Sequence, residues 1–299
     1  MKAGVFFGGG AFIALHAGYS KGALKNVKLD HVYGVSAGSL WASILAFLGI
    51  EKGIEILGTI HHTEDIFHHK DAIESGGDSL GRRWASIPMG YSYKPLQFLL
   101  EKYIVGNPTI PVTVSKVNLE TGRHYHITAL PDGTFTTDDP SGGEIKTLED
   151  FRVSVLSSCL TYPIVDAYLD HQNRGWVDGG FREGGPVQAA LNDGMEEIHL
   201  CLTGLYSEEM DFSGNANDPL SGATRLLEIC ANQNIISAVN AALDAMVVST
   251  EFPSGRKVFI YQVKGQGSSE NFNQLDIQRN IAIGAAIMPV DGKDIHILD

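Results

Sequence analysis

The chain opens with an apolar run, AGVFF at residues 3–7, that stops at three glycines, Gly8, Gly9 and Gly10. A short apolar run closed by glycine is the pattern of a buried strand feeding a loop. Good helix formers follow from Ala14 to Leu24, with Leu15, Tyr19 and Leu24 near one face. Asp30–Val35 reads as a second strand, and Ser39–Leu48, apolar at nearly every position, as a helix buried under a sheet. Strand, helix, strand, helix in this order predicts a parallel pair with a right-handed crossover. It also brings the loops after both strands to the same sheet edge.

The pattern continues in the same style. Pro95 at a first helical position opens a helix through PLQFLLEKYI, and Val112–Val117 and Arg123–Ala129 flank NLETG as a hairpin. TLEDFRVSVLSS reads as a helix capped by Thr147, with Asp150 three residues on. RGWVDGG reads as a strand ending in a glycine turn, and Pro186–Asn192, closed by Gly194, as a short helix. Glu197–Leu202 and Lys257–Val263 add strands, Gly222–Val248 a long helix and Gln274–Ile287 a last one. No repeat, low-complexity tract or composition shift interrupts residues 1–299, so one domain is expected.

Composition narrows the function classes. Apolar residues at 43% and charged ones at 19% describe a packed chain. With 35 acidic against 22 basic residues the net charge is −13, which repels nucleic acid and anionic membrane alike. Contact with lipid is therefore expected to be apolar and transient. The three cysteines, Cys159, Cys201 and Cys230, are widely spaced in apolar neighbourhoods, which reads as buried small hydrophobes in a reducing compartment. MKAGVFF reaches glycine too soon for a signal-peptide core, and no run of eighteen apolar residues exists. A cytoplasmic protein, peripheral at a membrane when it meets one, is the expectation.

Three stretches carry candidate chemistry. HVYGVSAGSLW places Ser36 between Gly34 and Gly38 in the spacing G-x-S-x-G, which presents a serine hydroxyl on a sharp strand-to-helix turn. The glycine run Gly8–Gly10 offers free backbone N–H groups before a helix, suited to an anion. One candidate for it is a dinucleotide fingerprint, but Ile13 stands at the third glycine position. Another is an oxyanion hole for acyl transfer. WVDGGFREGGP ends a strand at Asp178, followed by Gly179 and Gly180, either an Asp-Gly turn or the base that the serine needs.

Taken together, GVFFGGGAFIALHAG, GVSAGS, SVLSSCLTYPIV and WVDGGFREGGPV resemble, in order, the motifs of the patatin-like acyl hydrolases, over the first two thirds of the chain. The resemblance implies a three-layer α/β/α fold with a mostly parallel central sheet and hydrolysis of acyl esters of phospholipids or other membrane lipids. It implies Ser36 as nucleophile, Asp178 as general base, Gly8, Gly9 and Gly10 as oxyanion loop, and no cofactor or metal. An activator or a second copy of the chain is a further partner that the reading leaves open. One departure stands out: the family commonly reads G-G-G-x-R-G, whereas Phe12 and Ile13 occupy the positions of the arginine and last glycine.

Three alternatives compete. A Ser-Asp-His triad for small esters needs a late histidine, His199 or His296, both in strand-like alternation. A lipid-binding protein without turnover keeps the scaffold alone. HHTEDIFHHK places His61, Asp65 and His68 on one face if helical, a divalent-metal arrangement, with His62, Glu64 and His69 alongside. A polar exposed helix or loop is the other reading of that stretch. Ile87–Tyr93, IPMGYSY, is a candidate apolar cap over the site or a plain connecting loop.

Overall fold

The computed structural model describes residues 1–69, 91–138, 145–162, 165–204, 219–247, 256–266 and 272–291. The chain begins with β1 (Lys2–Phe6), one 3-10 turn (Gly10–Phe12) and α1 (Ile13–Lys21). Then come β2 (His31–Val35), α2 (Ala37–Leu48) and α3 (Ile50–Leu57). A two-stranded ribbon of β3 (His68–His69) and β4 (Tyr91–Ser92) leads to α4 (Lys94–Tyr103). The hairpin expected around NLETG is β5 (Val112–Asn118) and β6 (His124–Ala129), extended by β7 (Phe135–Thr137). Next are α5 (Leu148–Ser158), β8 (Tyr168–Leu169), β9 (Gly175–Asp178), α6 (Val187–Asn192) and β10 (Glu197–Cys201). The chain closes with α7 (Pro219–Val247), β11 (Lys257–Tyr261), α8 (Gln274–Ala285) and β12 (Val290–Asp291).

The principal sheet runs β12-β11-β10-β1-β2-β5-β6-β7. Its centre, from β11 through β10, β1 and β2 to β5, is parallel, and antiparallel strands are added at both margins. β9 also joins β5 antiparallel, and β8 joins β9. Side chains alternate between the two faces, as the strand period requires. Ala3, Val5 and Phe7 meet α6 and α7, whereas Phe6 and Val32 meet the layer that contains α1, α2, α4 and α5. The result is the expected three-layer α/β/α arrangement.

β2 lies on one side of β1 and β10 on the other, so the strand order reverses at β1. Such a switch point opens a crevice at the carboxyl ends of the strands. The glycine loop after β1 and the Ser36 turn after β2 both lie there.

Several expectations shift. α3 is an addition: Gly49 and Gly53 look like breakers, but Gly53 lets α3 close on α2, where a Cβ would come within 2.6 Å of Ile44 and 2.9 Å of Trp41. Residues 61–69 of HHTEDIFHHK do not form an α-helix, and Lys70 lies outside the described residues. The stretch forms a 3-10 turn at Thr63–Asp65, in which Asp65 Oδ2 accepts the backbone N–H groups of His61 (2.8 Å) and His62 (3.1 Å), and then β3. A carboxylate so used for capping is not aimed at a metal, and the strand breaks the i, i+4, i+7 face. Cys159 and Cys201 are buried, but Cys230 is exposed: it shares the outer face of α7 with Gln233 and Ser237, a helical stripe its leucine neighbours disguise. α1 and α8 approach backbone to backbone, and a Cβ on Gly284 would come within 3.0 Å of the Gly18 Cα.

No helix among the described residues is long and apolar enough to cross a membrane. His296 and Ile87–Gly90 lie outside the described residues.

Candidate active site

Ser36 follows β2 directly and begins α2 with φ 55° and ψ −131°. A side-chain-bearing residue in that left-handed region is strained, so its surroundings must hold it. They do so from several sides. Ser36 N–H donates to Ser158 Oγ at 2.9 Å, and Ser36 C=O accepts from Ser39 Oγ at 2.7 Å and from Cys159 Sγ at 3.3 Å. Gly34 and Gly38 make the turn possible: a Cβ on either would run into backbone, Gly34 into Gly38 and Gly38 into Phe6 and Phe7. This is the close passage of chain that the G-x-S-x-G spacing requires.

The Asp178 carboxylate reaches the serine by register. Val35 pairs with Ser115 on β5, and the next residue of β5, Lys116, pairs with Asp178 at the end of β9. Residues that follow one another on β5 thus place the acid beside the turn. The Asp178 carboxylate accepts Gly180 N–H at 2.7 Å, and the Ser36 and Thr161 hydroxyls lie close enough to favour its charged form. Burial pushes its pKa up to about 6, against these three polar groups, each of which favours the charged form. The same burial, with the Asp178 charge close by, pushes the Cys159 thiol up to about 12, so that sulfur is a structural donor and not a nucleophile.

Gly179 closes against Ser115, where a Cβ would lie 2.5 Å from the carbonyl oxygen, and Gly180 C=O is held by Asn234 Nδ2 at 2.8 Å from α7. Asp178 N–H donates to Leu160 C=O at 3.1 Å, so the last residue of α5, Ser158, supports the serine, and the segment after it supports the acid through Leu160 and Thr161.

The glycine loop lies on the other side of the serine. A Cβ on Gly8 would sit 3.1 Å from Ser36 Cβ and 3.7 Å from Ser36 Oγ. Gly10 adopts φ 56°, which favours glycine, and Gly9 presses against Thr203 from the end of β10. Among the described residues, the N–H groups of Gly8, Gly9 and Gly10 have no acceptor, whereas Gly8 C=O accepts from Thr203 Oγ1 and Gly9 C=O from Phe12 N–H. Such free donors beside a hydroxyl suit an oxygen that gains negative charge. His16, buried in α1, donates from Nε2 to Phe7 C=O at 2.8 Å at the root of this loop; burial lowers its pKa to about 4 and keeps the ring neutral.

A scan against family models matches a patatin-like phospholipase model over residues 4–191, well over half of the chain. The chain belongs to the patatin-like phospholipase family. Membership makes it a lipid acyl hydrolase at the level of the family. A search of curated proteins gives no match. The patatin-like match ends just before β10, so Thr203 and Asn234, which support the glycine loop and the acid loop, lie beyond it.

The residues that the motifs singled out, Ser36, Asp178, Gly8–Gly10, Gly34, Gly38, Gly179 and Gly180, come together at this one sheet edge. His199 does not join them. Both its ring nitrogens are engaged within the sheet, Nδ1 with Tyr261 OH at 2.8 Å and Nε2 with Glu197 Oε1 at 2.9 Å. Phe12, at the family's arginine position, packs its ring against Gly265, where a Cβ would lie 2.6 Å away. Sequence reasoning missed Ser158, Thr161, Thr203, Asn234 and His16. The signal for the first two was the polar run SSCLT at the end of a helix otherwise buried.

Proposed function

We propose that the protein is a serine lipid acyl hydrolase, phospholipase A-like or lysophospholipase-like, working through a Ser36–Asp178 dyad. The observation that carries this reading is the placing of a buried carboxylate beside the Ser36 turn by the register of β2, β5 and β9, close enough for the serine hydroxyl to favour its charge, with unoccupied glycine N–H groups on the serine's other side. Ser36 Oγ attacks the ester carbonyl carbon while its proton passes to Asp178. The carbonyl oxygen takes the electron pair and is stabilised by the Gly8–Gly10 N–H groups, each donor worth ~10²–10³ in rate. Collapse expels the alcohol, which leaves with the proton from Asp178, and an acyl ester remains on Ser36. Water, deprotonated by Asp178, then releases the fatty acid and restores the serine.

A pKa of about 6 suits this work, because a carboxylate raised above its ordinary value is a better base and is still charged at neutral pH. The net charge of −13 favours brief, apolar contact with a lipid surface from the cytoplasm. Mixed lipid vesicles, with products analysed by mass spectrometry, test the reading. Wild type is expected to release free fatty acid and to be labelled on Ser36 by a fluorophosphonate. Hydrolysis by Ser36→Ala at the wild-type rate overturns it.

A further inference from the structure

We propose a second site, a zinc-class divalent metal centre formed by His124, His126 and Glu183, at the far side of the loop that follows Asp178. His124 and His126 stand two apart on β6 and so share a face of the sheet. Glu183 arrives from the loop after β9, and its carboxylate meets His126 Nε2 at 2.7 Å. One ligand atom from each of the three lies within 4.8 Å of the others. Tetrahedral zinc with bonds of about 2.0–2.1 Å holds its ligand atoms roughly 3.3 Å apart, a spacing that small side-chain rotations reach here.

Two further observations favour a metal over a simple ion pair. Asp138 grips His126 twice, accepting its backbone N–H at 3.0 Å on Oδ1 and its Nδ1 at 2.7 Å on Oδ2. A carboxylate on the far nitrogen of an imidazole is the arrangement that orients a metal-bound histidine and raises its basicity. Ser115 lies directly across from His126 on β5; its hydroxyl comes close enough to Glu183 to favour the charged carboxylate, yet it is buried without a hydrogen-bond partner among the described residues. Two carboxylates facing two imidazoles balance a dication, whereas a single shared proton leaves one negative charge over. The metal takes the place of the proton between His126 and Glu183, which goes to solvent. Three protein ligands leave a position for water.

The site is structural in effect. Glu183 N–H donates to Gly179 C=O at 3.1 Å, so fixing Glu183 to β6 fixes the turn that carries Asp178.

The test uses the full chain, stripped with a chelator and dialysed against micromolar Zn²⁺, with bound metal counted by elemental mass spectrometry. One Zn²⁺ per chain is expected, with a rise in melting temperature and a four-coordinate visible spectrum when Co²⁺ replaces it. His124→Ala, an exposed position, is expected to abolish stoichiometric loading, and Asp138→Asn to weaken it about 10-fold. Circular dichroism checks the fold of each; should Glu183→Gln fail to fold, His124→Ala decides. Ser36→Ala and the His61→Ala/His62→Ala double variant should load like wild type, which separates this site from the dyad and from the exposed histidines. No stoichiometric metal, undiminished loading in His124→Ala, or loss of loading in the double variant overturns the proposal.

Discussion

The two ends of the parallel sheet treat their carboxylates in opposite ways. At the amino ends of the strands, Glu197 meets Lys2 Nζ at 2.8 Å and His199 Nε2 at 2.9 Å, and these partners hold it below the ordinary glutamate value despite partial burial. At the carboxyl ends, the Asp178 carboxylate meets only hydroxyls and a backbone N–H, and burial carries it up to about 6. The amino end holds its Glu197 by cohesion, since that charge has counter-charges in Lys2 and His199. The carboxyl end keeps a charge without one, a cost in stability that leaves the carboxylate basic. In the proposed mechanism, that is the acid kept for chemistry.

The largest effect expected from breaking this contrast is at the dyad itself. Ser36→Ala and Asp178→Asn should each lower kcat by at least ~10³-fold, measured on vesicle lipid. Asp178→Asn should also change stability in an unusual direction. Because the folded pKa lies above that of the unfolded chain, the acid adds stability below about pH 4 and loses it as pH rises through about 6. The variant should therefore melt higher than wild type above about pH 6, and a lower melting temperature there would contradict the burial argument.

Ser158→Ala is the next largest. It strips the acceptor from Ser36 N–H, and an unsatisfied buried group costs about 1–3 kcal/mol, so kcat should fall about 10-fold, with KM little changed, as the strained turn relaxes. Substrate binding that weakens while kcat holds would speak against a positioning role.

A smaller effect sharpens the picture. In wild type, kcat/KM should fall on the acid side with a midpoint near 6, as Asp178 gains its proton. Thr161→Val removes a hydroxyl that favours the charged form, so the midpoint should move to higher pH; a limb that stays put would detach it from Asp178. Lys2→Ala marks the low end. This partly exposed pair is worth at most about 1 kcal/mol, and activity should match wild type.

Much of the site was legible because its signals are local. β1, α1, β2 and α2 follow from apolar runs and glycines, and Ser36 and Asp178 stand at turns that announce themselves. What supports them was not, since Ser158, Thr203 and Asn234 act only through contacts made across the fold. The short strands β7, β8 and β12 owe their existence to neighbours and not to their own composition. The histidines show the same limit. HHTEDIFHHK draws the eye by density, yet Asp65 spends its oxygen on backbone, whereas His124, His126 and Glu183 meet only once β6 and the loop after β9 are folded together.

The bare contact between Gly18 and Gly284 has a bearing on where this chain can be cut. The helix that issues from the glycine loop rests on α8, far downstream of residue 191, where the family match stops. A fragment ending there would forfeit that buttress together with β10, whose end secures the loop through Thr203, and would expose the apolar side of α1 to water. Recombinant fragments trimmed to the matched motif should accordingly aggregate.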